Sequence, residues 1–372
     1  MSIWSDEKEN SMIDYNVIFS FALAFLISFA ALPLVRVFAF RVNAVDVPKD
    51  ERRMHKEPIP LLGGIAIFAG FTVSVACFAS AIDSELLGVL IGSLIMVITG
   101  AIDDKYDLSP IVKLSAQIVA AGVAIAFGVR LRIFMYPFHV GNTFIDLSYL
   151  SVPATFLWII LMTNAINLID GLDGLAVSVS GISAAALIFL GIVQKYTIVA
   201  VPLAAVVGGC AGFFPYNRHP AQIFMGDSGA LFLGYILSTL SVIGFFRFYS
   251  PITYVVPVIV LGVPIFDTSF AIIRRIINHK GIMTADRDHL HHRLIDMGFK
   301  HREVVTILAM LSAMLSMFAI VMASRGIKRS LVILVFMAVF AVSIRIYKKN
   351  KSVSDEYMEE LESSENEEDN KE

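Results

Sequence analysis

The sequence predicts an all-α, polytopic integral membrane protein of about eleven transmembrane helices, N-terminus outside and C-terminus in the cytoplasm. Three observations predict it. Of the 372 residues, 57% are hydrophobic and only 16% charged, against roughly 25% charged in a soluble domain. The mean hydropathy is +0.74. The apolar residues also run for close to the ~20 positions that an α-helix needs to cross a bilayer, whereas barrel strands alternate over about ten. A formal charge of −3 argues against a nucleic-acid partner, which calls for a basic patch or stripe. Cys77 and Cys210 both sit in apolar stretches and read as buried small hydrophobes, too few for a disulfide framework or a thiolate zinc site.

In chain order, residues 1–14 form an acidic extracytoplasmic segment, without the basic start and small-residue cleavage pattern of a signal peptide. The apolar segments then fall at 15–38, 61–80, 86–102, 110–127, 151–168, 174–192, 197–214, 229–247, 251–273, 303–323 and 330–346. Residues 15–346 therefore make one multi-span domain. With the N-terminus outside, the inner connections carry nearly twice as many Lys and Arg as the outer ones, as the positive-inside rule requires. The acidic tail, 347–372, reads as solvated and disordered.

The distinctive polar residues collect in the connections assigned to the cytoplasm. The first group runs from Val47 to Lys56 and on to Gly63-Gly64; it is an ordinary basic loop or a lip for phosphates and anionic headgroups. The second is Asp103-Asp104, with Lys113 following. Adjacent carboxylates repel each other and persist most easily around a divalent cation or a proton, and carboxylates plus substrate phosphates are the usual Mg²⁺ set. The third is Asn164, Asn167, Asp170 and Asp173, spaced by three, which on a helix project from one stripe; Asp173-Gly174 equally suits a turn. The fourth runs from Tyr216 through Asn217 and His219 to Asp227 and Gly229. Asp227 is a candidate metal ligand or a cap, and a helix starting there would favour an anion. The fifth runs from Asp286 through His289, Leu290, His291 and His292 to Arg293. It reads as a phosphate clamp beside an oxygen-rich Mg²⁺ site, or as a solvated loop. Asp267 is an intramembrane charge expected to support the site. A transporter would instead place its polar residues near the midplane; chemistry gathered at one face suits a membrane phosphotransferase.

Taken in order, His55-Lys56 through Gly63-Gly64, Asp103-Asp104, Asn164 through Gly174, Asn217 through Gly229, Val263 through Thr268 and Asp288 through Arg293 resemble the polyprenyl-phosphate N-acetylhexosamine-1-phosphate transferase family over about residues 45–300. Leu290 interrupts the run of three His typical of the muramoyl-pentapeptide branch, so the chain is more similar to the branch that uses UDP-N-acetylglucosamine. The resemblance implies transfer of N-acetylglucosamine-1-phosphate to undecaprenyl phosphate with release of UMP. It also implies Mg²⁺ (or Mn²⁺), a homodimer, and a site facing the cytoplasm of the bacterial plasma membrane. The roles it implies are Asp227 and Asp104 as metal ligands and Asp103 as base. Asn164, Asn167, Asp170, Asp173 and Asn217 would line the uridine side, and Lys56 and Lys113 would meet phosphates. His289, as a catalytic group, and His291, His292 and Arg293 would contact the diphosphate or sugar.

Overall fold

Helices occupy every one of the eleven apolar segments, so the chain is an all-α, multi-pass membrane protein. The structure, a computed structural model, describes residues 15–47, 57–131, 133–135, 144–146, 149–193, 197–246, 251–278, 289–344 and 346–347. Lys56, the segment 1–14 and the tail beyond 347 lie outside these. The helices are α1 Tyr15–Arg41, α2 Gly63–Phe78, α3 Ser84–Tyr106, α4 Pro110–Ala126, α5 Ser151–Ile169, α6 Leu175–Val193, α7 Ala200–Asn217, α8 Gly226–Gly244, α9 Pro251–Val260, α10 Gly262–Ile277, α11 Leu290–Asp296 and α12 His301–Arg325, followed by α13 Ile327–Ile344. Two antiparallel hairpins of two or three residues per strand complete the described secondary structure: β1 Val45–Asp46 with β2 Ile59–Pro60, and β3 Ile133–Met135 with β4 Phe144–Asp146.

The eleven expected spans are not equivalent. Eight described helices are long and apolar enough to cross a membrane, and a ninth span counts if α9 and α10 are taken together. Helices α2 and α4, at 16 and 17 residues, fall short of the ~20 of a perpendicular span. The segment expected as one helix over 251–273 is broken at Leu261 by 82°. The cause is local. Pro264 has no N–H to give the carbonyl of Val260, and the Ser183 hydroxyl donates to that carbonyl instead, at 3.1 Å, which is how a break survives without water.

Helix α8 is the centre of the bundle. Every residue from Ser228 to Gly244 is buried, packed by α3, α5 and α2. Lipid tails are as apolar as Leu, so helices in a membrane associate through close backbone approach rather than hydrophobic drive. A Cβ on Gly100 of α3 would strike the backbone of Asp227 and Ser228, and one on Gly64 of α2 would strike Gly229. Hydroxyls tie the neighbouring layer: Ser20 of α1 donates to Val201 of α7 at 2.9 Å, and Ser74 of α2 donates to Ser20 at 2.6 Å. Cys210 is buried, as expected, but Cys77 is exposed on α2.

Candidate active site

The polar clusters come together at one end of the bundle. The C-terminal ends of α3, α5 and α7 meet the N-terminal ends of α2, α4, α8 and α12 there, the alternation that successive passes produce. They border a cleft of about 380 Å³, within the size range of small-molecule sites.

Asp227 stands at the second position of α8 and is held from two sides. Lys113 Nζ lies 2.8 Å from Oδ2, and the Asn167 amide donates to Oδ1 at 2.8 Å. Asp104, on the last turn of α3, accepts the backbone N–H of Asp227 at 2.7 Å and that of Ser228 at 3.3 Å. The anion at this helix N-terminus is thus a carboxylate of the chain itself, satisfying the orphan donors and the positive end of the dipole. Gly226 makes the approach possible: its φ is +69°, a region that favours glycine, and a Cβ there would meet the Asp104 carboxylate. Asp103, next in line, is buried. Its Oδ1 accepts the N–H of Leu108 at 2.6 Å and its Oδ2 pairs with Lys113. It does not line the cleft, and it anchors the lysine that reaches Asp227.

The stripe expected from Asn164 to Asp173 stops short, because α5 ends at Ile169 and the chain turns through Asp170 to Gly174. The four residues part company accordingly. Asn167 meets Asp227. Asn164 faces α4, where it exchanges amide hydrogen bonds with Gln117 at 2.7 and 3.2 Å, away from the cleft. Asp170 lines the cleft, and no donor among the described residues reaches it; burial first, then the nearby carboxylates of Asp227, Asp104 and Asp173, push it up to about 8. Asp173 accepts from the N–H of Ala221 and pairs with His219. Asn217 reaches the wall, but its amide is engaged in holding the chain: the carbonyl accepts from Gly174 N–H at 2.9 Å and the NH₂ donates to Ile223 at 3.1 Å.

The histidine segment divides as well. Asp267 accepts from the N–H of Leu290 at 2.7 Å and lies 3.0 Å from His289 Nδ1, so it supports α11, and His289 is buried with it. His291 is buried over Gly171, where a Cβ would meet its Nε2; burial, reinforced by His292, pushes its imidazole down to about 4. His292 lines the cleft, while Arg293 is exposed on α11 and does not. Asp46, His301 and Gln117 are further polar groups at or near the site that the motif reading did not single out. An amide inside an apolar helix was the available signal for Gln117; nothing in the sequence marked His301.

The charge balance defines the chemistry. Asp104, Asp170 and Asp227 converge on the cleft with Asp103 behind them, and Lys113 reaches both Asp103 and Asp227. Such a cleft repels a diphosphate unless a cation intervenes. The three carboxylates offer oxygen donors and the cleft holds no thiolate among the described residues, which fits Mg²⁺ or Mn²⁺.

The family model for glycosyl transferase family 4 matches residues 86–245. The chain is 39% identical over 326 residues to a probable undecaprenyl-phosphate N-acetylglucosaminyl 1-phosphate transferase of Bacillus subtilis, covering 87% of this chain and 90% of that protein. It is 34% identical over 319 residues to a decaprenyl-phosphate N-acetylglucosaminephosphotransferase of Mycolicibacterium smegmatis, covering 77% of each. It is 30% identical over 331 residues to a phospho-N-acetylmuramoyl-pentapeptide-transferase of Desulforamulus reducens, covering 82% of this chain and 95% of that protein.

Proposed function

Because this chain belongs to glycosyl transferase family 4, we propose that it transfers N-acetylglucosamine-1-phosphate from UDP-N-acetylglucosamine to undecaprenyl phosphate, giving undecaprenyl-diphospho-N-acetylglucosamine and UMP. The observation that carries the reading is the clamp on Asp227, held by Lys113 and Asn167 beside Asp104 at the mouth of a carboxylate-lined cleft.

An oxygen of the lipid phosphate attacks the β-phosphorus of the nucleotide. The new P–O bond forms as the bond from that phosphorus to the bridging oxygen breaks, and UMP leaves with the oxygen. Such a step needs positioning and charge neutralisation above all. Asp227 and Asp104 hold Mg²⁺ or Mn²⁺ in this reading, with Asp170 beside them. When bound, the ion supplies the positive charge that offsets the diphosphate and the leaving UMP. Asn167 fixes the rotamer of Asp227. Lys113 brings an ammonium to the same place, and Asp103, expected as base, positions that ammonium. The lipid phosphate needs little help to be dianionic, since its second pKa is about 6. Lys56, outside the described residues, remains a phosphate contact, and His292 faces the donor. His289 and His291 act from behind it, and Arg293 reaches the donor from the exposed side of α11. Asp173 and Asn217 shape the uridine side, while Asn164 is held by Gln117 away from the cleft. The enzyme acts as a homodimer in the bacterial plasma membrane, with the cleft facing the cytoplasm, where UDP-sugars are made, and the acidic tail on the same side.

Protein purified in detergent, given undecaprenyl phosphate and Mg²⁺, should release UMP from UDP-N-acetylglucosamine and not from UDP-N-acetylmuramoyl-pentapeptide. The reverse preference overturns the donor assignment, and no UMP from either overturns transfer in favour of a transporter.

A further inference from the structure

Two hollows flank the first turns of α12, outside the carboxylate cleft. The first, of about 270 Å³, opens between the end of α7 and α12. Phe214, Arg218, His219, Arg302, Val305 and Thr306 line it, and it meets the cleft only at Asp173. The second, of about 420 Å³, runs between α12 and α13, with Ile307, Phe340 and Ile344 on its apolar wall. Arg302 and Thr306 line both, so the two hollows adjoin.

The first hollow is cationic. Arg302 is exposed but held in place: Nε and Nη2 donate to the carbonyl of His219 at 3.1 and 2.8 Å. Arg218 is exposed on the same hollow, and no acceptor among the described residues meets its guanidinium. Asp173, the carboxylate on the wall, accepts from the N–H of Ala221 at 3.2 Å and pairs with His219 at 2.7 Å. Its charge is therefore engaged away from the arginines. The second hollow is apolar and open, because only 6% of α13 is buried within the protein. Phe299 and Tyr347 stack at 6.2 Å at the end where the sequence continues into Lys348 and Lys349. Glu303, also on that wall, accepts from the N–H of Lys300 at 2.8 Å.

We propose that Arg218 and Arg302 bind the phosphodiester headgroup of an anionic phospholipid whose acyl chain lies in the groove between α12 and α13. Guanidinium forks match phosphate oxygens, and basic pockets between transmembrane helices take anionic headgroups. A free anion would account for the arginines and not for the apolar groove that adjoins them. The lipid would fill the space that α13 leaves beside α12 and tie α13 to the end of α7.

The test uses full-length protein in detergent, freed of lipid, with native mass spectrometry counting the phospholipid retained. Phosphatidylglycerol should be retained over phosphatidylcholine of the same chains by about fivefold or more, the worth of a basic side chain near an anionic headgroup. Arg218→Gln should remove that preference, and Arg218→Lys should keep most of it. Arg302→Gln repeats the test should the first variant fail to fold. Ser343→Trp, which fills the groove without touching the arginines, should weaken retention of phosphatidylglycerol. Millimolar inorganic phosphate should leave the lipid in place. Equal retention of the two lipids, a preference unchanged in Arg218→Gln, or retention unchanged in Ser343→Trp overturns the proposal. So does displacement by phosphate, or displacement by undecaprenyl phosphate stronger than by phosphatidylglycerol itself. None of these readouts depends on UMP release, so the transferase reading stands or falls separately.

Discussion

Helices α8 and α13 are both long enough to cross a membrane, yet 89% of α8 is buried within the protein and 6% of α13. The more apolar of the two is the exposed one. Helix α13 turns Val332, Val335 and Phe336 outward, while α8 presents Gly229, Ala230, Gly234, Ser238 and Ser241 to its neighbours. In lipid, apolarity places a helix in the membrane and small residues decide which helix sits inside the bundle. The buried helix can therefore carry an ionisable residue at its head, because the ends of α3, α4 and α5 deliver Asp104, Lys113 and Asn167 to hold Asp227.

That contrast predicts where substitutions act. The largest effect is expected from Asp227→Asn, which keeps the size of the side chain and removes its charge. Transfer should fall by about a thousandfold or more, on the scale of losing a preorganised charge-stabilising group, while gel filtration in detergent shows a folded protein; near-normal turnover at saturating Mg²⁺ breaks the link between burial of α8 and chemistry. Acid sensitivity should also concentrate at this end. The imidazole of His291 is held down near 4 by burial, against about 6.5 in an unfolded chain. Between those values the unfolded state binds more protons, so stability declines as pH falls from about 6.5 towards 4, by up to about 3 kcal/mol. Thermal melts of the unaltered protein and of His291→Gln should diverge over that window and run parallel above pH 7; parallel curves throughout would remove the buried neutral imidazole. Gly100→Val should cost about 1–3 kcal/mol by overpacking α3 against the start of α8, whereas Val335→Ala on α13 should stay within about 0.5 kcal/mol. Equal losses in the two would show that the burial difference has no energetic counterpart.

Legibility in the sequence followed the same division. Every span was visible, because a run of apolar residues is a local property. The break at Leu261 was hidden by the same averaging: Pro257 and Pro264 sit in a stretch as apolar as its neighbours. Asp104 and Asp227 were singled out, yet their actual relation, a carboxylate of one helix capping the N-terminus of another across 123 positions, is written in no local pattern. The spacing of three from Asn164 to Asp173 was real, but it presumed a helix that Asp170-Gly171 ends; Asn164, Asn167 and Asp173 each meet a different neighbour, and Asp170 faces the cleft. His219 and His301 lie 82 residues apart, in a connection and at a helix start, and only the fold brings their rings together.

A net effect near zero is expected when Asn164 and Gln117 are replaced together, and it distinguishes a structural amide from one that touches substrate. Asn164 and Gln117 bond to each other between α5 and α4, where no water offers a substitute, and Gln117 is almost fully buried. Replacing one partner leaves the other's amide unsatisfied, while replacing both leaves an apolar contact between two apolar helices. Interhelical hydrogen bonds of this kind are worth about 0.6 kcal/mol on average and seldom more than about 1.7. Asn164→Leu and Gln117→Leu should therefore each lower stability by roughly 1 kcal/mol, and the double variant should recover most of that loss, a positive coupling in the thermodynamic cycle. The KM for UDP-N-acetylglucosamine should stay near the unaltered value in the double variant. A KM that rises tenfold there, with stability restored, would return Asn164 to the uridine side of the cleft. It would also show that the amide leaves Gln117 when the nucleotide arrives, since one NH₂ group cannot hold both partners in the geometry it has now.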